Sequence, residues 1–372
     1  MRKRIVPIIL IVIALCTSNF ILYPFTTFAE GVEVISFKKA ERLLLINSNE
    51  LRKIDSLLYS HKKNYDNALQ KEIEDDVWYA SDSYRRMLLL KTVELYPLQM
   101  EHALLSAEES LPSTRAKLIL SLRDKYLTLL STKQDITIKN MIYESELKVY
   151  DLSKLKYDNN LISRLELEEA EYDLFNKQTE LNIAKRNYYN TCRNFNLFIN
   201  CPVDVYYSEI EYDLLDKQII YDLDYYVENT LKNNMQIKSL HREINLKLVE
   251  KELLERNYVY ITYTNVNKQH KALISSINML DLQLQRTKLD INKEIIDTYY
   301  NVVEAGEYIK KTEKKLDSTK ARLYLTEAKI KAGVVPESRA EQIKIEIKQA
   351  EYEVLNAIFS YNTLLIKLNS AE

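Results

Sequence analysis

The chain contains one pattern twice. Lys154-Leu-Lys-Tyr-Asp-Asn-Asn-Leu-Ile-Ser163 has its counterpart in Glu327-Ala-Lys-Ile-Lys-Ala-Gly-Val-Val-Pro336. Setting Asn160 on Gly333 fixes an offset of 173, and Leu122–Phe195 then falls on Ile295–Leu368 without a gap. Tyr126 meets Tyr299, Leu174 meets Ile347, Ala184 meets Ala357 and Tyr188 meets Tyr361. Upstream, Phe37–Ile54 pairs with Leu223–Leu240 at an offset of 186, with Asn47 on Asn233. The difference of 13 residues is an insertion in the first copy, between about Ile54 and Leu118. A repeated unit in one chain builds a pseudo-symmetric assembly, so this duplication constrains the architecture more than any single residue does.

The repeated unit is helical. Only 3 Gly and 6 Pro occur in 372 residues, where average usage gives roughly 45. So few breakers leave few turns and long elements, and the abundant Leu, Lys, Glu and Ala make those elements helices. Their apolar residues follow a seven-residue rhythm. Phe37, Ala40, Leu44, Asn47, Leu51, Ile54, Leu58, His61, Tyr65 and Ala68 alternate spacings of 3 and 4, which is a coiled-coil seam. Leu223, Tyr226, Thr230, Asn233, Ile237, Leu240 and Ile244 repeat it. Asn47-Ser48-Asn49 and Asn233-Asn234 interrupt each helix, since Asn competes for backbone hydrogen bonds.

Farther along, Ile295, Val302, Ile309, Leu316, Leu323 and Ile330 recur every seven residues, and Thr298, Ala305, Thr312, Thr319 and Thr326 follow the first five by three. One seam position is large and its partner small, so neighbouring helices approach closely. Leu122, Leu129, Ile136, Tyr143, Tyr150 and Tyr157 hold the large positions in the first copy, which assigns the tyrosines to packing. Return helices carry Ala170, Leu174, Leu181, Ala184 and Tyr188, and Ile343, Ile347, Ala350, Val354, Ala357 and Tyr361. Between outgoing and return helices stand Asp158-Asn159-Asn160 and Ala332-Gly333-Val334, where Gly accepts positive φ and Asn tolerates it. Each copy is therefore a helical hairpin, and Pro336 suits the start of a return helix. The second outgoing helix, about Lys268 to Lys331, holds 64 residues, or ~95 Å. Its return, Glu337–Asn369, is half as long, and the upstream helix, about Asp222–Arg256, covers the rest. The fold class is all-α, tandem long helical hairpins with little or no β, divided as 30–203 and 204–372.

Strand signal is confined to Tyr258–Thr264, a β-prone run between Asn257 and Asn265. Its first-copy equivalent, around Val77-Trp78-Tyr79, is short and polar, and Pro97 and Pro112 mark breaks in that region. Residues 1–29 are a secretory signal: a basic start at Arg2-Lys3-Arg4, an apolar run from Ile5 to Leu15 and small residues at Thr27 and Ala29 before Glu30. The rival reading is a retained anchor, which Pro24 disfavours. Leu15 is bulkier than the small residue that usually precedes a lipidated Cys, against a lipoprotein at Cys16. Without the signal, 49 Lys+Arg face 54 Asp+Glu, a net charge of −5, which is no nucleic-acid footprint. Cys192 and Cys201 form no metal pattern, and a disulfide between them is left open. His61, His102, His241 and His270 lack any metal-ligand spacing, and no phosphate loop or nucleophile elbow occurs. No cofactor, metal or catalytic residue is expected, and the chain is read as a non-enzyme.

Signal, doubled helix–break–long helix–turn–return helix and turn sequence together resemble the TolC-type outer-membrane efflux family over about residues 32–372. Ile330-Lys-Ala-Gly333-Val-Val is similar to the family's turn motif, and Tyr126 and Tyr299 match its outgoing-helix tyrosine. The resemblance implies a homotrimeric α-barrel in the cell envelope, working with a periplasmic adaptor protein and an inner-membrane transporter. It places Asn159, Asn160, Leu161, Ile162, Ala332, Gly333, Val334 and Val335 at adaptor-docking tips. Two features depart from the family. The membrane strands of an outer-membrane β-barrel look truncated or missing. The acidic constriction six and nine residues after the turn Gly is here Arg339 and Gln342, matched in the first copy by Glu166 and Glu169. The alternative function is a secreted coiled-coil scaffold or spacer without a channel.

Overall fold

The computed structural model describes residues 33–70, 80, 82–212, 222–256 and 258–370. The expected signal at 1–29 and the Val77-Trp78-Tyr79 segment lie outside these residues. A short strand β1 (Glu33–Ile35) leads into α1 (Phe37–Asn47), α2 (Asn49–Leu69) and α3 (Ser83–Leu90). A π-helical turn over Lys91–Leu95 joins α3 to the long helix α4 (Tyr96–Asp158), which is followed by α5 (Arg164–Phe198) and β2 (Tyr207–Ile210). The second repeat runs α6 (Leu223–Asn233), α7 (Met235–Arg256), α8 (Val259–Thr262), α9 (Thr264–Lys331) and α10 (Ser338–Ser370). Among the described residues no helix is long and apolar enough to cross a membrane.

The two offsets hold at the level of single caps. α1 ends at Asn47 and α6 at Asn233, 186 residues apart. Ser48 caps α2 by accepting from Leu51 N at 3.3 Å. Asn234 caps α7 by accepting from Gln236 N at 2.9 Å and Ile237 N at 3.2 Å. A short polar side chain that satisfies the first free N–H groups is what makes a helix restart there. Both long helices end 173 residues apart, at Asp158 and Lys331.

The insertion is localised by the same comparison. By the two offsets, residues 256–263, from the last residue of α7 to the start of α9, correspond to residues 70–90 of the first repeat, eight residues against 21. The β-prone run at 258–264 forms no strand. Tyr258 adopts φ 52°, α8 follows, and Thr264 opens α9. Val259 is buried against Met87, Leu254, Val266 and Leu273. Strand propensity measures fit to a paired, half-buried surface; this turn offers packing instead of a pairing edge. Pro112 breaks nothing either, for it lies inside α4. A proline costs about 3 kcal/mol in a helix interior, and α4 is held past it by packing against α2, α7 and α10 along its length. Pro97 sits in the first turn of α4, directly after the π-turn.

Contacts arrange the helices in a row. In the tip half the order is α5–α4–α10–α9, and in the other half α2–α4–α7–α9. Outgoing helices α4 and α9 alternate with return helices, so every neighbouring pair is antiparallel. Thr298, Thr312, Thr319 and Thr326 of α9 are buried, as the small seam positions require. The last three donate their hydroxyls to carbonyls of their own helix, Ile309, Lys315 and Arg322, each at 2.8 Å. Tyr143 and Tyr150 are half-buried, but Tyr157 is exposed, because the seam opens one turn before the tip. The two repeats are joined by a reciprocal amide pair: Gln134 Nε2 donates to Asn356 Oδ1 at 3.1 Å and Asn356 Nδ2 to Gln134 Oε1 at 2.9 Å. Arg242 of α7 and Glu109 of α4 add a bidentate ion pair, one arm at 2.9 Å.

A phenylalanine at Thr319 should destabilise the chain by about 1–3 kcal/mol, the usual cost of overpacking. Alanine at exposed Lys320 should fall within about 0.5 kcal/mol of the parent. Thermal melts of the two variants decide this, and equal melting temperatures contradict the seam.

The largest core cluster lies midway along the row, where Tyr126, Phe37, Phe195 and Phe359 meet. β1 and β2 pair in parallel over it, with Ile35 opposite Ile210. The Tyr126 hydroxyl lies 3.1 Å from the Ile35 carbonyl and 2.7 Å from that of Glu211. Cys192, buried within this cluster, and Cys201, packed against it, are both free thiols.

Candidate docking tips

Each hairpin reverses through the same backbone device. After α4, Asn160 takes φ 56°, its N–H donates to Tyr157 O at 2.8 Å, and Leu161 N donates to Lys156 O at 2.8 Å. After α9, Gly333 takes φ 72°, with Gly333 N to Ile330 O and Val334 N to Lys329 O at 2.9 Å each. Both are Schellman turns, in which a left-handed residue lets two N–H groups satisfy the last free carbonyls. A Cβ on Gly333 would meet nothing within 4 Å, so only its φ calls for glycine. Gly333→Asn should therefore be nearly neutral, since Asn160 already does this work. Gly333→Val should lose at least about 1–2 kcal/mol, the cost of left-handed backbone for a residue with a Cβ. Chemical denaturation of the two variants compares them directly.

In most Schellman turns the apolar residue after the reversal packs back on the last helical turn. Here the last turn offers Lys156 and Lys329, and Leu161 and Val334 stay 72% exposed. Ile162 and Val335 are half-buried behind them. Asn159 anchors the first turn, donating from Nδ2 to Leu155 O at 2.7 Å, and Ala332 is an exposed helix end. All eight sequence-predicted tip residues thus fall in the two reversals, and the four aliphatic ones divide into exposed knobs and half-buried supports.

The four constriction candidates sit on the first turns of the return helices and are exposed. Glu166 closes a capping box: Ser163 N donates to its Oε2 at 2.7 Å, while Glu166 N donates to Ser163 Oγ at 3.2 Å. The hydrogen bond from the Ser163 backbone N–H holds the Glu166 carboxyl below the usual carboxylate range. The cap is therefore present at neutral pH and is lost as pH falls through that lowered value. Glu169 is exposed one turn further on. Arg339 donates to Gln342 Oε1 at 2.6 Å. Both line an open groove of about 630 Å³ between the start of α10 and Ile142 and Glu146 of α4. Two acidic residues on one hairpin and a basic–amide pair on the other do not make an acidic ring.

One contact escaped the sequence. Lys148 of α4 meets Glu341 of α10 at 3.1 Å and ties the first repeat to the second close to the tips. A pair 193 residues apart follows no local spacing rule. Among the described residues, no group of three or more His, Cys, Asp or Glu side chains comes together to hold a metal.

No family model matches this sequence, and no curated protein matches it. Solved structures do. The Campylobacter jejuni CmeC outer membrane channel superimposes with a TM-score of 0.66 at 12% identity, over 90% of this chain and 85% of that one. Vibrio cholerae outer membrane protein VceC gives 0.63 at 12% identity, over 89% and 95%. The open state of the Neisseria gonorrhoeae MtrE outer membrane channel gives 0.60 at 11% identity, over 90% and 88%. Identity this low speaks to architecture alone, and in architecture the chain shares the TolC-like fold of these outer membrane channels, two tandem helical hairpins in one row.

Proposed function

We propose that this protein is an export duct component, a homotrimeric α-barrel of the cell envelope that docks a periplasmic adaptor through its hairpin tips. The observation that carries the reading is the open row of helices. Its two ends, α5 and α9, each leave an apolar stripe uncovered. On α5 it is Leu165, Tyr172, Phe175 and Ile183; on α9 it is Met279, Leu282, Leu289, Tyr300 and Val303. Their separations, 7, 3 and 8 on α5 and 3, 7, 11 and 3 on α9, keep each set on one side of its helix. Soluble monomers rarely expose contiguous apolar patches of this extent.

Two different faces at opposite ends of one unit make a head-to-tail contact, which closes as a ring when the rotation allows. Joining α9 of one protomer to α5 and α2 of the next preserves the antiparallel alternation all round. A closed tube of this kind offers a water-filled path, and loosening the tips opens it. Adaptor docking and coupling to an inner-membrane transporter are what the resemblance to the TolC-type family implies. No catalytic role is needed. A spacer without a lumen would need one covered face per hairpin, not two. Sedimentation of the protein lacking residues 1–29 should give a trimer, and electron microscopy should show a hollow ring in end view. A monomer at micromolar concentration, or a solid rod, removes the duct reading.

A further inference from the structure

The joint between the two repeats is built differently in its two halves. Toward the tips it is closed by the uncharged Gln134–Asn356 amide pair and the exposed pair Lys148–Glu341. Farther from the tips, where α4 meets α7, it is closed by ion pairs that are less exposed. Glu109 of α4 holds Arg242 of α7 by both carboxylate oxygens. Lys91 meets Glu250 at 3.0 Å, and Glu94 meets Arg256 at 2.9 Å. Between these pairs along α4 lies His102. His102, Ser106 and Glu109 are spaced by 4 and then 3 residues, so they form one stripe on the helix. Because Glu109 reaches Arg242, that stripe faces α7.

Three polar atoms at this seam are buried without a hydrogen-bond partner among the described residues: His102 Nδ1, Ser106 Oγ and Arg242 Nε. The carboxylate of the stripe, Glu109, is already engaged at both oxygens. A neutral imidazole is tolerated in such a place. An imidazolium is not, because both its ring nitrogens are donors and its charge is buried beside a guanidinium. Burial accordingly holds His102 below the ordinary histidine range; Arg242 pushes it the same way, and the Glu243 and Glu109 carboxylates oppose. α2, which packs on α4 from the other side of the row, adds no ionisable group that acts on His102 among the described residues. The second repeat has no such stripe. The residues equivalent to His102, Ser106 and Glu109 are Ser275, Met279 and Leu282, none of which titrates.

We propose that His102 makes the α4–α7 half of the joint a latch released by acid: a proton on its buried Nδ1 parts α4 from α7 while the tip half stays closed. The proton is accommodated only if the ring reaches water, or if Glu109 turns to it and leaves Arg242 unpaired. Either way the bidentate pair that bridges the two helices is lost. At neutral pH the imidazole is unprotonated and the latch is shut. A histidine in the unfolded chain takes its proton near about pH 6.5. The folded joint is therefore fully stabilised above that pH and loses stability as pH falls from there through the lowered value of His102. The Gln134–Asn356 amides do not titrate, so the tip half has no equivalent trigger. This assignment is independent of the duct reading, because it needs only one folded protomer.

Hydrogen–deuterium exchange of the protein lacking residues 1–29, corrected for the intrinsic effect of pH on exchange, reads the latch segment by segment. Between about pH 7.5 and about pH 5.5, residues 96–110 and 235–256 should lose protection by up to about tenfold, the limit for one unit below an ordinary value of about 6.5. Residues 134–148 and 341–356 should keep theirs. His102→Gln should abolish the change. So should His102→Ser, which gives the first repeat the residue that the second carries at Ser275. His61, His241 and His270 remain in both variants, so a response that belongs to one of them survives the substitution. The proposal is overturned if residues 96–110 and 235–256 are equally protected at the two pH values, if the tip half loses protection to the same extent, or if either variant retains the response.

Discussion

Aspartate at Phe175 or at Leu289 should leave a helical chain that no longer assembles. Phe175 is 63% exposed on α5 and Leu289 68% exposed on α9, and neither belongs to a core cluster of its own protomer. If the chain works alone, both substitutions are surface changes worth within about 0.5 kcal/mol. If the row closes on copies of itself, each side chain becomes buried. Aspartate then forfeits about 1.5–3 kcal/mol of apolar burial per site and adds a desolvated charge. Closure repeats the loss at every joint of the ring. Sedimentation of each variant should therefore show monomer where the parent shows trimer, with the same far-ultraviolet dichroism. Parent-like mass for both variants means that these stripes are not the joints.

The second large effect is expected at the tips. Leu161→Asp with Val334→Asp should keep helicity and assembly while abolishing adaptor binding and export. Both side chains protrude after the reversal, 72% exposed, and make no contact that their own hairpin needs. A trimer would present six such knobs, each worth about 1.5–3 kcal/mol when covered. A photo-reactive residue at position 334 should link to the adaptor in cells, and the link should vanish with Leu161→Asp in the same chain. Normal export by the double variant places docking elsewhere. An unfolded double variant makes these residues structural and removes the tip assignment.

The sequence made the hairpins legible because heptads and caps are local signals. The helix breaks at Asn47 and Asn233 could be read from residue type, and they appear at those residues. The reversals could be read because Gly and Asn adopt the required φ at least cost, and they stand at both turns. What failed was propensity without context. Tyr258–Thr264 has strand residues but no edge to pair with, and it packs as a turn of helix. Pro112 is a breaker in isolation, yet α4 runs through it because packing on both sides outweighs one lost hydrogen bond. Glu166 was read for its position after the turn, whereas its spacing from Ser163, three residues, is a capping signal that the sequence carried all along. Lys148–Glu341 and Gln134–Asn356 were invisible, for long-range pairs have no period to detect.

The alternating row has an electrostatic consequence. Each helix carries about half a positive charge at its N-terminus and half a negative charge at its C-terminus. At the tip edge the C-termini of α4 and α9 alternate with the N-termini of α5 and α10. Neighbouring macrodipoles therefore oppose one another along that edge, and the backbone sets little net field there. Any charge preference at this edge must come from side chains. The first charged side chains are unlike on the two return helices: Arg164, Glu166, Glu168 and Glu169 begin α5, while Arg339 and Glu341 begin α10. The edge thus has an acidic sector at α5 and a nearly balanced one at α10, and substitutions on either return helix change its local charge without help or hindrance from the helices themselves.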